Sequence, residues 1–146
     1  MKKRSARQEL IRSIVREKRI KTQQDLVSEL AERGFVCTQA TVSRDISDLG
    51  LRKLPEGVYV LHEDLHLQRM VRDLVVEVAM TGSLVLIKAQ AGTAPGVAAA
   101  LDDAHFEGIL GSVSGDDTIL VVTQSDDRAT ALHDQLIVYM GAARKQ

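Results

Sequence analysis

The sequence predicts a two-domain α/β protein: an N-terminal winged helix-turn-helix, then a C-terminal two-layer α/β sandwich in the order β-β-α-β-β-α. Three observations carry this. Apolar residues recur at helical spacing through the first 50 positions and then give way to two short apolar runs around Pro55-Glu56-Gly57. From residue 75 onward, strand-like runs alternate with helical ones. Charge is also split: residues 1–60 carry 13 Lys+Arg against 8 Asp+Glu, a net of +5, whereas residues 61–146 carry 6 against 12, a net of −6. A basic first half suits a polyanion and an acidic second half suits another task. The expected division is 1–62 for the winged helix, 63–68 for a polar linker, and 69–146 for a second domain with another task.

In chain order, the first helix spans Arg7 to Lys18, with Leu10, Ile11, Ile14 and Val15 on one face and a basic remainder that can meet phosphate. The second runs from Thr22, as cap, to Arg33, burying Leu26, Val27 and Leu30. Gly34-Phe35-Val36-Cys37 is a connection of helix-turn-helix length. The third helix begins at Thr38 and stops at Gly50, which can take the left-handed position past its end. There Val42, Ile46 and Leu49 share one face, while Ala40, Ser43, Arg44 and Ser47 point away, joined by Gln39 and Thr41 at the helix start. That outward set suits a major groove: Ser lets the backbone approach, Ala meets a thymine methyl, and Arg bonds bidentately to guanine. Any solvated helix face can carry Ser and Arg, so the preceding helix and tight turn are what favour DNA reading.

Leu51 to Leu54 and Val58 to Leu61 then form a hairpin, the wing, which brings Arg52 and Lys53 beside a DNA backbone. Double-stranded DNA is the expected nucleic acid, because Trp is absent and aromatics make up 3% of the chain, leaving little on which single-stranded bases could stack.

In the second half, Leu67, Met70, Val71 and Leu74 recur at helical spacing before strands at 75–80 and 83–88. Gly92-Thr93-Ala94-Pro95-Gly96 leads into an Ala-rich helix, with Thr93 as cap and Pro95 in its first turn. Strands at 109–113 and 118–122 flank Ser114-Gly115-Asp116-Asp117, and a last helix from Arg128 to Met140 turns Leu132, Leu136, Tyr139 and Met140 inward. Asp116 and Asp117 are adjacent in a tight turn, which is either ordinary turn chemistry or a socket for a cation, a metal or a guanidinium.

Composition narrows the class. With 146 residues and 45% hydrophobic content, the chain can build cores. It has no apolar run near the roughly 20 residues of a membrane span, and its basic start, Met1-Lys2-Lys3-Arg4, lacks the apolar stretch of a signal peptide. A cytoplasmic protein without a membrane partner is expected. The single cysteine, Cys37, cannot form an internal disulfide and reads as a small buried apolar residue. His62 and His66 lie four apart without a third ligand at metal spacing, so no metal is expected.

Ala40-Thr41-Val42-Ser43-Arg44-Asp45, Gly92-Thr93-Ala94-Pro95-Gly96 and Ile109-Leu110-Gly111-Ser112-Val113-Ser114-Gly115-Asp116-Asp117-Thr118, in this order and separation, resemble the bacterial arginine repressors over nearly the full length. The resemblance implies a winged helix joined to a domain that forms trimers, two of which stack into a hexamer with L-arginine, the corepressor, between them; no other cofactor is implied. By that likeness Ser43 and Arg44 read bases, Asp116 and Asp117 receive the ligand's charged groups, Ser112 and Ser114 line the same loop, and Asp102 matches an acidic residue near the end of the preceding helix. The chain departs from the family pattern at one place: its Ala-rich helix reads about one turn shorter, and Val97 to Ala100 offer no polar group where the family brings Gln or His.

The implied function is arginine-responsive repression of arginine biosynthesis genes, with activation of catabolic genes as a further possibility. An effector-independent architectural DNA-binding protein is the alternative; it would leave the acidic turn without a role. An enzyme is not expected, since Asp116, Asp117 and His105 come without a nucleophile, a phosphate loop or a metal constellation.

Overall fold

The computed structural model describes residues 2–141. Met1, in the basic start, and residues 142–146, in the expected second domain, lie outside the described residues. The chain divides between His62 and Glu63 into two compact units, each with its own apolar core.

In the first unit, α1 (Lys2–Glu17), α2 (Gln23–Glu32) and α3 (Gln39–Leu49) precede a hairpin of β1 (Leu51–Lys53) and β2 (Tyr59–Leu61). Helix α1 starts before Arg7 because neither Gly nor Pro interrupts the polar residues ahead of its apolar face. Ile11, Ile14 and Val15 of α1 meet Leu26 and Leu30 of α2, Val42, Ile46 and Leu49 of α3, and Leu51 and Leu61 of the hairpin. Burying each large aliphatic side chain contributes about 1.5–3 kcal/mol. Cys37 is only half-buried at the edge of this core.

Side-chain caps end the helices as their sequences require. Thr22 Oγ1 accepts from Asp25 N at 3.0 Å and Thr38 Oγ1 from Thr41 N at 3.2 Å. Gly50, at φ 69°, closes α3 in the left-handed region that a side chain would strain. The hairpin pairs Leu51 with Leu61, Arg52 with Val60 and Lys53 with Tyr59. Tyr59 N also donates to Ile20 O at 2.9 Å, tying the hairpin to the α1–α2 connection.

The second unit follows with α4 (His62–Leu74), β3 (Val75–Thr81), β4 (Leu84–Ala89), α5 (Ala94–Ala104), β5 (Ile109–Ser114), β6 (Thr118–Thr123) and α6 (Asp126–Met140). Residues 63–68, expected as a linker, are instead the first turns of α4. Leu67 and Val71 are fully buried, and the acidic pair Glu63 and Asp64 in the first turn suits a helix N-terminus. Polarity marks this segment as a junction, but it contains neither Gly nor Pro, so the helix runs through it.

The sheet order is β3-β4-β6-β5, antiparallel throughout. Alternation along β4 and β6 sends Val85, Ile87, Ile119 and Val121 to the helix-covered face, where they meet Val97 and Leu101 of α5 and Leu132 and Leu136 of α6. The opposite face carries Leu84, Leu86, Leu120 and Val122 with a shallow apolar depression of about 270 Å³. Helix α5 starts at Ala94 with Pro95 in its first turn, as expected, and runs on to Ala104. Thr93 does not cap it through its side chain: the hydroxyl donates to Gln90 O at 2.7 Å. Helix α6 begins at Asp126, before the expected Arg128, because Ser125 Oγ accepts from Arg128 N at 3.2 Å.

Candidate functional site

On α3, Gln39, Ala40, Ser43, Arg44 and Ser47 are exposed, Thr41 is half-buried and bonded to its cap Thr38, and Val42, Ile46 and Leu49 are buried. The polar face is therefore open along the helix. Arg44 has no hydrogen-bond or ion-pair partner among the described residues, so its five donors are available to a ligand. Gln39 is partly engaged, its Nε2 3.4 Å from Gln23 Oε1 on α2.

Sequence periodicity did not single out Asp45, which is buried between Arg44 and Ile46 at 1% exposure. Its carboxylate accepts from Arg7 Nε and Arg7 Nη2, the latter at 2.9 Å, and from Gln8 Nε2 at 3.0 Å. Burial pushes the Asp45 carboxyl up, but the hydrogen bonds from Arg7 and Gln8, with the charges of Arg7 and Arg4, outweigh it and hold the group below its ordinary 3.8. The bond to Asp45 in turn raises the Arg7 guanidinium above its usual range, against the opposing effect of burial. One turn away, Arg4 Nη2 pairs with Asp48 at the surface. A signal was present: Asp45 lies three residues after Val42 on the apolar stripe, and a carboxylate there requires a cation from a neighbouring helix. These pairs, with Lys18–Glu29 just past the end of α1, commit part of the basic charge of this region to internal contacts.

On the hairpin, Arg52 and Lys53 are both exposed. Arg52 Nη1 lies 3.2 Å from His62 Nδ1, and Lys53 Nζ stands 5.4 Å from the centre of the Tyr59 ring, which props the ammonium at the surface.

In the second unit the candidate acids form two groups. Asp116 and Asp117 are exposed in the β5–β6 turn, held by their backbone: Asp116 O accepts from Ala94 N at 3.1 Å and Asp117 O from Ala89 N at 2.8 Å. Thr118 Oγ1 donates to Asp117 Oδ1 at 2.8 Å, and Lys88 Nζ donates to that hydroxyl at 3.0 Å. This Lys88-to-Asp117 relay was not foreseen; it follows from the register that pairs Lys88 with Thr118 on the sheet face away from the helices. Asp102 and Ser112 form the second group, Ser112 Oγ donating to Asp102 Oδ1 at 3.3 Å beside a cavity of about 310 Å³ that His105 and Phe106 also line. Ser114 is exposed at the end of β5, between the groups. Asp116 contacts the first residue of α5 and Asp102 lies eight residues further along, so the groups are about 12 Å apart along the helix. His105 caps that far end at φ 53°, with its Nδ1 3.0 Å from Asp103 O, and so does not join Asp116 and Asp117 as an acid/base set.

A winged helix with an open polar face, joined to an α/β sandwich that displays a paired-carboxylate turn, has the organisation of a ligand-responsive transcription regulator. Comparison with known proteins gives the particular family. Residues 1–67 match the family described as arginine repressor, DNA binding domain, and residues 71–137 match arginine repressor, C-terminal domain. The arginine repressor of Pelotomaculum thermopropionicum is 42% identical over 137 residues, covering 86% of this chain and 91% of that protein. That of Thermus thermophilus is 40% identical over 146 residues, covering 92% and 89%, and that of Halothermothrix orenii is 36% identical over 137 residues, covering 86% and 91%. The chain belongs to the arginine repressor family, whose members are regulators and not enzymes.

Proposed function

We propose that the protein is an arginine-responsive regulator that binds operator DNA through its first domain, represses arginine biosynthesis genes, and takes L-arginine as corepressor at its second. The observation that carries the reading is the pairing, in one chain, of an exposed Ser43/Arg44 helix face with an exposed Asp116/Asp117 turn. In this reading α3 enters the major groove, with Ser43 and Arg44 on base edges and Gln39, Ala40, Thr41 and Ser47 beside them, while Arg52 and Lys53 bind phosphate.

At the other end, the open carboxylates of Asp116 and Asp117 suit a guanidinium, which binds carboxylate through parallel charge-assisted bonds. Asp102, Ser112 and Ser114 complete the ligand's surroundings. The 12 Å or so between the two acidic groups favours a ligand shared between copies of the chain, each copy giving one group. The partly exposed apolar sheet face supports assembly, taken here as a hexamer of two trimers. Ligand bound between copies and absent from the separated ones would then couple arginine level to assembly and to DNA affinity.

The test is a titration of double-stranded operator fragments from arginine biosynthesis promoters, with and without L-arginine. Arginine should tighten binding severalfold or more. Unchanged affinity would leave the effector-independent architectural alternative.

A further inference from the structure

The carboxylate of Asp45 points away from any groove that α3 could enter, yet it follows Arg44 directly and receives three N–H donors from α1. We infer that Arg7 and Gln8, gripping α3 through Asp45, are positioning residues that set the angle at which Ser43 and Arg44 meet the bases. The inference rests on the proposed reading of α3 as the base-reading helix and deepens it.

Val42, Ile46 and Leu49 hold α3 on the core through apolar contact, which favours burial but tolerates sliding and rotation. A bidentate base contact does not, because productive geometry survives only about 0.5 Å or 10–20° of error. A fork-shaped guanidinium on a carboxylate supplies the missing constraint: both N–H···O bonds hold only at one relative orientation. Here the Arg7 and Asp45 side chains are 17% and 2% exposed, so water does not offer a substitute partner. Gln8 adds a third donor to the same carboxylate, fixing its rotamer. Successive side chains of a helix are set about 100° apart, so fixing the direction of Asp45 fixes that of Arg44. Arg4 and Asp48 repeat the contact one turn along both helices, forming a second, exposed rung.

The discriminating substitution is Arg7→Lys, which keeps the charge but replaces the fork with a single ammonium. The full-length protein would first be used to select duplexes from a randomised pool in the presence of L-arginine. Dissociation constants would then be measured for a selected duplex and a scrambled one, at a temperature where circular dichroism shows each variant folded. Arg7→Lys should weaken the selected duplex by about tenfold and the scrambled one by less than about twofold, with the salt dependence unchanged.

The decisive arm is a double-mutant cycle with Arg44→Ala. Arg44 and Arg7 are not bonded to each other, so independent roles give additive losses, whereas positioning makes Arg44→Ala cost markedly less once Arg7 is Lys. If Arg7→Lys does not fold, Gln8→Ala replaces it in the same cycle, with smaller effects expected in the same direction. Additive losses, or equal losses on both duplexes, would overturn the inference while leaving base reading by α3 intact. If wild type selects no sequence, or Arg44→Ala leaves its preference intact, the reading of α3 fails and the inference falls with it.

Discussion

Asp45 and Asp117 are both carboxylates one residue from the business end of a polar motif, and the protein treats them oppositely. Asp45 is enclosed and accepts from Arg7 twice and from Gln8, so little acceptor capacity is left for anything else. Asp117 is exposed, receives one hydroxyl hydrogen bond, from Thr118, and has Asp116 beside it. A filled, buried acid holds a scaffold in one arrangement; an open, exposed pair keeps acceptor capacity for a cation, the role we propose for it.

The difference should be largest in stability. Asp45→Ala leaves the Arg7 guanidinium without its partner and is expected to destabilise the first domain by about 3–5 kcal/mol. Asp117→Ala should change the second domain by no more than about 0.5 kcal/mol. Urea unfolding followed in each domain measures both, and similar losses at the two positions would break the distinction.

Acid sharpens it further. Because Asp45 is held below its ordinary value when folded, its contribution is fully present above the unfolded value near 3.8 and is lost as the pH falls through the lower folded value. Circular dichroism on acidification should therefore show the first domain losing stability below about pH 4. Asp45→Asn, lacking the titrating group, should show a flatter decline there. Within the first domain the outer rung should matter far less than Asp45: Asp48→Ala removes a pair whose side chains are 57% and 35% exposed, and should cost less than about 1 kcal/mol.

The helices and strands were legible because their signals are local. Thr22, Thr38, Gly50 and Pro95 mark boundaries, and the spacing of Val42, Ile46 and Leu49 gives both the buried face and its outward complement. Residues 63–68 read as a linker because the segment is polar; its helical continuity is carried by the buried Leu67 within it and Val71 after it. The base-reading and acidic-turn candidates were visible as motifs, but Arg7 and Gln8 were not, since 38 positions separate Arg7 from Asp45. The relay from Lys88 to Asp117 likewise depends on strand register, which a motif does not encode. The separation of Asp102 from Asp116 depends on the backbone contact of Asp116 with Ala94 at the start of α5, a tertiary contact that no local motif encodes.

The most direct test of the division is differential scanning calorimetry of wild type, Asp45→Asn and Asp117→Asn, each across a series of L-arginine concentrations. Arginine bound to the native state raises its melting temperature with concentration, so the shift reports binding separately from stability. Asp45→Asn should melt lower than wild type yet keep the arginine-dependent shift. Asp117→Asn should melt like wild type without ligand and lose most of the shift, since a charge-assisted bond contributes about 1.5–3 kcal/mol. An undiminished shift in Asp117→Asn would contradict the assignment of the exposed turn to the ligand.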